Sequence, residues 1–166
     1  MPRISEDQAG QNLRAFLDMI AVSELGERML NDPKSDDGYK IIVGSVPGSM
    51  YIFNDYSDHP RKRVFIKSIK TYSTAAGRYQ LLSRYFDAYK ASMHLPDFSP
   101  LSQDLIAIQQ IREQKALSFI NDGNFVEAVK RVSNIWASLP GNTYGQHQNK
   151  IDHLRLAYVN AGGKLA

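Results

Sequence analysis

Leu13, Phe16, Leu17, Ile20 and Ala21 recur at intervals of three and four residues, the period of one helix face. That stripe commits the N-terminal part of the chain to an amphipathic helix from about residue 7 to about Leu25. Glu24 falls on the same face, one turn beyond Ile20 and Ala21. A carboxylate in an apolar stripe is costly unless it is paired, sits at the helix end, or is there to do chemistry. The structural alternative is an ion pair with Arg28 at i+4. The chemical alternative is an acid whose pKa is raised by its surroundings. Periodicity alone leaves both open.

At 166 residues the chain predicts a single domain spanning 1–166. A hydrophobic content of 43% against 22% charged residues is that of an ordinary globular protein. Without cysteine, disulfides, thiolate nucleophiles and cysteine-ligated zinc are excluded. A net charge of +3 favours anionic partners, nucleic acid or an acidic wall polymer, without choosing between them. The opening MPRISEDQAGQN is mixed in charge and unlike a signal peptide, and the run MIAV is far short of the ~20 apolar residues that span a bilayer. The expectation is a monomer with no membrane insertion, made in the cytoplasm.

After the first helix, LGERMLNDPKSDDG reads as a loop. YKIIVGSV and YIFNDY read as two strands across a turn at Pro47, Gly48 and Ser49, and 55–70 as loop and irregular strand. STAAGRYQLLSRYFDAYKASM then carries Tyr79, Leu82, Tyr85, Phe86 and Tyr89 at helical spacing. Ser99-Pro100 starts a long helix towards Ile120, Asp122-Gly123 stops it, and Asn124 opens a short one holding Ala128, Val129 and Val132. A loop around LPGNTYGQ leads to a last helix ending near Gly162-Gly163. The fold class is α+β, mostly helical, with one small antiparallel sheet in a lobe at about 38–72.

Cofactor and metal signatures are missing. There is no G-x-G-x-x-G, no phosphate-cradling loop and no G-x-S-x-G, and the histidines at 59, 94, 147 and 153 make no H-E-x-x-H or i, i+4 pair. No cofactor and no metal are expected. HPRKR at 59–63 is the strongest nucleic-acid signal, but no nucleic-acid-binding pattern surrounds it, so nucleic acid is not expected as a partner.

Six segments, AFLDMIAVSE, GYKIIVG, DYSDHPRK, STAAGRYQLLSR, FSPLSQDLIAIQQI and SNIWASLPGNTYGQ, stand in one order from about Leu13 to Gly163. On these segments the chain resembles the lambda-type phage endolysins, the lytic-transglycosylase branch of the phage lysozymes. The resemblance implies a lysozyme-like fold with a cleft between a sheet lobe and a helical lobe. It implies cleavage between N-acetylmuramic acid and N-acetylglucosamine in peptidoglycan, with 1,6-anhydromuramic acid ends as product. It also implies release to the wall through a holin-type pore made by another protein. Hydrolysis by water, as in a muramidase, is the alternative reaction, and a non-catalytic wall-binding protein the alternative class.

The glutamate that ends the first helix of the family is its catalytic acid, and that position here is Glu24. Ordinary glycosidases add a second carboxylate about 5 to 9.5 Å away. Asp32, Asp36, Asp37, Asp55 and Asp58 lie in the right region of the chain, but none in a compelling motif. The resemblance also implies substrate contacts at Ser23, Tyr39, Ser73, Tyr79, Gln80, Asn134, Trp136 and Tyr144. Three of these have a plainer alternative: Tyr79 and Trp136 as core aromatics, and Ser73, with Thr74, as a helix cap. Two lips, at about 62–72 and 138–152, correspond to the family's substrate-gripping segments, with Arg63 and Lys67 able to meet acidic stem peptides. Val22 and Lys40 depart from the family, which often carries tryptophan at the first position and aspartate at the second, so contacts near Lys40 do not carry over.

Overall fold

The computed structural model describes residues 1–142 and 147–166. Eight α-helices and one two-stranded antiparallel sheet are found among them. The chain divides into two compact units, one formed by Met1–Glu24 with Ala107–Ala166, the other by Leu25–Ile106.

The first unit is helical. α1 (Glu6–Ala9) and α2 (Gln11–Leu25) replace the single helix read from the sequence, because Gly10 takes φ 75° between them. Leu13, Phe16, Leu17, Ile20 and Ala21 are all buried, as their spacing requires. Phe16 meets Phe125 and Tyr158 edge-on at 6.2 and 6.4 Å, and those two rings lie 5.1 Å apart. Phe125 belongs to α7 (Phe125–Val132) and Tyr158 to α8 (Ile151–Asn160), so one aromatic cluster ties α2 to both later helices. The helix expected from Ser99 towards Ile120 is interrupted. α5 (Pro100–Glu113) and α6 (Leu117–Asn121) are separated by Lys115 at φ 54°. No glycine or proline marks that break, so the sequence carried no signal for it.

The second unit holds the sheet, but not where the strand signals stood. β1 (Val64–Ile66), inside the stretch read as loop and irregular strand, pairs with β2 (Thr71–Ser73), just beyond it, with Phe65 opposite Tyr72. YKIIVGSV and YIFNDY make only isolated bridges, Ile41 to Ile52, Ile42 to Ala76 and Val46 to Ser49. Backbone bonds from the Ile42 N–H to the Tyr51 carbonyl and from the Phe53 N–H to the Lys40 carbonyl flank the first bridge, and beyond it the Ser45 hydroxyl donates to the Ile42 carbonyl at 2.7 Å and accepts from the Tyr51 N–H at 2.9 Å.

The helix predicted across STAAGRYQLLSRYFDAYKASM is likewise shortened to α4 (Ser83–Ser92). Gly77, at φ 80°, explains the loss. A Cβ there would lie 2.1 Å from Gln103 Oε1, which accepts from the Arg78 N–H at 2.9 Å. The buried Gln103 amide also donates to the Tyr39 and Phe98 carbonyls, at 3.2 and 3.0 Å. One side chain thus satisfies a backbone that helix formation would otherwise have to satisfy. Thr74, nine residues upstream, caps α4 by accepting from the Ser83 N–H at 3.1 Å. α3 (Glu27–Leu30) lies at the start of this unit.

Ile42, Phe53, Ala76, Leu81, Phe86, Phe98 and Ile106 form the core of the second unit. His59 is buried against Phe98, with ring centroids 4.7 Å apart. Its Nε2–H donates to the Leu81 carbonyl at 2.9 Å, and Nδ1 accepts from the Arg61 N–H at 3.0 Å, which selects the neutral ring. Burial lowers the His59 pKa below 6.5. Arg61 acts in the same direction, while the Leu81 bond, Asp58 and Asp87 act against it. Since the folded-state pKa is the lower one, the unfolded chain binds more protons below about pH 6.5. The stability His59 contributes is complete above that pH and is lost as the solution is acidified. Urea unfolding free energies should therefore fall more steeply between about pH 7 and pH 5 in the parent than in His59→Gln. Parallel curves would contradict this account.

Candidate active site

Glu24 stands in the last turn of α2, which ends one residue later where Gly26 takes φ 77°. With the helix finished at Leu25, the i+4 geometry expected to join Glu24 to Arg28 no longer exists. Ser138 is the partner instead: its hydroxyl donates to Glu24 Oε1 at 2.5 Å. The Ser138 and Ser23 hydroxyl oxygens lie 2.8 Å apart. The Asn149 amide donates to the Ser23 hydroxyl and carbonyl, each at 3.1 Å, and to the Ser138 carbonyl at 3.4 Å. The Asn149 N–H donates to that same Ser138 carbonyl at 2.8 Å. This network joins the end of α2 to the loop after α7 and to the residue two before α8.

The residue is only partly buried, yet burial of its carboxyl group raises the Glu24 pKa from 4.5 to about 7. The Ser138 hydroxyl and backbone N–H pull it down and are outweighed. The negative end of the α2 dipole acts with burial against the charged form. Such a group holds a proton at neutral pH and can still release it.

The other predicted positions fall in several places. Ser23 is buried, its hydroxyl engaged with Ser138 and Asn149. Tyr39 and Tyr79 are enclosed in the second unit, and both hydroxyls donate to Asp104 Oδ1 at 2.7 Å. Burial, followed by the nearness of Asp104, keeps the Tyr79 phenol well above its usual pKa of 10.0. Gln80, at φ 49°, turns its amide back to the Gly77 carbonyl at 2.9 Å. Ser73 ends β2 and accepts from the Ala75 N–H at 3.1 Å, so the helix cap is Thr74 alone. Asn134 is exposed and donates to Gln114 Oε1 at 2.9 Å. Trp136 is buried. Tyr144 lies outside the described residues. Arg63 lies over the exposed Tyr72 ring at 4.7 Å, and Lys67 opens the turn between β1 and β2.

Ser138, Asn149 and Asp104 went unnoticed in the sequence. Their partners lie 114, 126 and 65 positions away, distances over which no local pattern extends. Among the described residues, no group of three His, Asp or Glu is placed to hold a metal ion. None of their helices is long and apolar enough to cross a membrane.

A family model described as Endolysin matches residues 14–165. The chain belongs to the endolysin family. It is 51% identical over 152 residues to the endolysin of Escherichia phage lambda, covering 92% of each chain. It is 46% identical over 159 residues to that of Escherichia phage P2, covering 92% of this chain and 94% of the other. A structure of bacteriophage lambda lysozyme complexed with a chitohexasaccharide aligns over 100% of both chains, at a TM-score of 0.84 and 46% identity. A second lambda lysozyme structure aligns with a TM-score of 0.82. This endolysin therefore has the lysozyme fold of the lambda type, and the resemblance read from six segments holds over nearly its whole length.

Proposed function

We propose that this endolysin cleaves the β-1,4 bond between N-acetylmuramic acid and N-acetylglucosamine in peptidoglycan by lytic transglycosylation, with Glu24 as acid and then base. The observation that carries this reading is the Glu24 carboxyl group at the end of α2, bonded by the Ser138 hydroxyl at 2.5 Å, with burial raising its pKa from 4.5 to about 7. Protonated Glu24 gives its proton to the glycosidic oxygen, and the sugar C1 develops oxocarbenium character as that bond breaks. The 2-acetamido group of the substrate stabilises the cation. Ionised Glu24 then takes the proton of the C6 hydroxyl, whose oxygen closes on C1 to form the 1,6-anhydro ring. No water is consumed, and Glu24 ends as it began. Ring closure within one sugar gains from the high effective molarity of intramolecular attack.

Four of the five aspartates available as a second carboxylate support the one-carboxylate route, because they serve local structure. Asp32 accepts from the Lys34 N–H, Asp36 from the Tyr56 hydroxyl, Asp55 from the Ser57 N–H and Asp58 from Arg61. The chitohexasaccharide bound to the lambda lysozyme supports a β-1,4-linked N-acetyl sugar as substrate. The family match runs unbroken through both compact units, which supports reading 1–166 as one catalytic domain. The cations beside β1 and β2, Arg63 and Lys67, suit the acidic stem peptides of such a substrate.

Digestion of purified sacculi followed by mass spectrometry tests the reaction. The soluble fragments should each be one water lighter than hydrolysis products and unchanged by borohydride. Fragments that take up a full water and are reduced by borohydride would establish a muramidase. Wall binding without soluble fragments would remove the enzymatic reading altogether.

A further inference from the structure

We propose that Asn149 and Ser138 are positioning residues that hold the Glu24 carboxyl poised between acid and base. The inference rests on Glu24 being the catalytic acid.

The argument begins at the end of the network farthest from the acid. The Ser23 carbonyl can only accept, so the Asn149 side-chain atom 3.1 Å from it is the NH2 group. That same NH2 lies 3.1 Å from the Ser23 hydroxyl oxygen, which therefore accepts. The Ser23 O–H is left to donate along the 2.8 Å contact to Ser138 Oγ. Ser138 in turn donates to Glu24 Oε1 at 2.5 Å. An amide two residues ahead of α8 thus holds Ser23 against Ser138, and with Ser138 donating to Glu24 the two hydroxyls run in series toward the carboxyl. Oε1 is held as the acceptor of the Ser138 hydroxyl.

The same bond acts again after the proton has left. A hydroxyl donating to a carboxylate makes a stronger bond than one donating to a neutral acid. Ser138 therefore stabilises the ionised form against burial. Without it the acid would hold its proton to a higher pH and fail as the base that opens the C6 hydroxyl. The backbone bond from the Asn149 N–H to the Ser138 carbonyl holds the loop independently of either side chain, so both can be altered without dismantling it.

Two measurements on the full chain test this: the 13C NMR titration of the Glu24 carboxyl carbon, and the pH dependence of kcat and KM on soluble glycan strands. In Ser138→Ala both the carboxyl midpoint and the alkaline limb of kcat should move up by about one to two pH units, with KM little changed. Asn149→Ala removes the donor without adding a charge, loosens Ser23 and Ser138, and should move both upward by about half a unit or more. Ser138→Thr, which keeps the hydroxyl, should restore the parent values. Midpoints unmoved in both Ser138→Ala and Asn149→Ala would overturn the proposal, as would an alkaline limb that stays put while the midpoint shifts. Should Ser138→Ala not fold, Asn149→Ala alone decides by the same readings. The two levels separate cleanly. Cleavage that survives Glu24→Gln removes the assigned acid, whereas unmoved midpoints with Glu24→Gln inactive remove only this inference.

Discussion

Glu24→Gln should leave a folded chain that clears cell wall about 10³-fold more slowly or worse, the range over which a positioned acid and base contributes. Glutamine has the size of glutamate, and its carbonyl oxygen can still accept the 2.5 Å bond from Ser138. What disappears is the exchangeable proton, both as it is given to the leaving oxygen and as it is taken back. Stability should move the other way. The folded-state pKa of Glu24 is raised from 4.5 to about 7, so the folded chain binds the proton more tightly than the unfolded one. The stability this confers is present below about pH 4.5 and is lost as pH rises through about 7. Relative to the parent, the glutamine variant should gain stability between pH 5 and pH 8, by at most on the order of 3 kcal/mol. Turbidity clearing of permeabilised cells and urea unfolding at the two pH values measure both effects. Clearing at the parent rate would mean that another residue supplies the proton.

Asp104→Ala is expected to be the most damaging single change in the second unit, lowering unfolding stability by about 3 kcal/mol or more. Asp104 is fully buried, and one of its oxygens accepts from both Tyr39 and Tyr79 at 2.7 Å. Alanine strands two buried hydroxyls, each at a cost of about 1 to 3 kcal/mol, and adds a cavity. Tyr79→Phe removes one hydroxyl and leaves Asp104 with the other, so it should cost only about 1 kcal/mol. The difference between the two variants in urea unfolding is the informative quantity. Loss of less than 1 kcal/mol in Asp104→Ala would show that the two tyrosines find other acceptors.

The same cluster shows where local reading fails. Tyr79 and Leu82 do fall at helical spacing, yet 77–80 is a turn, because Gly77 gives way to the Gln103 side chain and Gln103 then bonds the backbone of Arg78. Apolar period describes which side chains want burial, and a buried turn satisfies that want as well as a helix does. The strand signals in YKIIVGSV were real in the same limited sense: Ile41 and Ile42 are buried, but the serine that follows diverts the ladder. Trp136 and Tyr39 lie inside, whereas exposed Tyr72 and Phe65 pair across the hairpin at 5.3 Å. Burial is decided by neighbours from distant parts of the chain, and no spacing rule carries that information.

By itself the amino-acid order determined the apolar face of α2, the position of Glu24 at its end, the caps and stops at Ser99, Pro100 and Gly123, and, through six ordered segments, the family. These are properties of residues three or four apart, or of whole segments, and they survive without knowledge of the folded chain. Only tertiary structure decided that Glu24 answers to Ser138 rather than Arg28, and that its carboxyl is desolvated enough to hold a proton near pH 7. It likewise decided that Asn149 bonds both serines beside it. A pKa is set by solvent exclusion and by donors brought from more than a hundred residues away, and those exist only once the chain has folded.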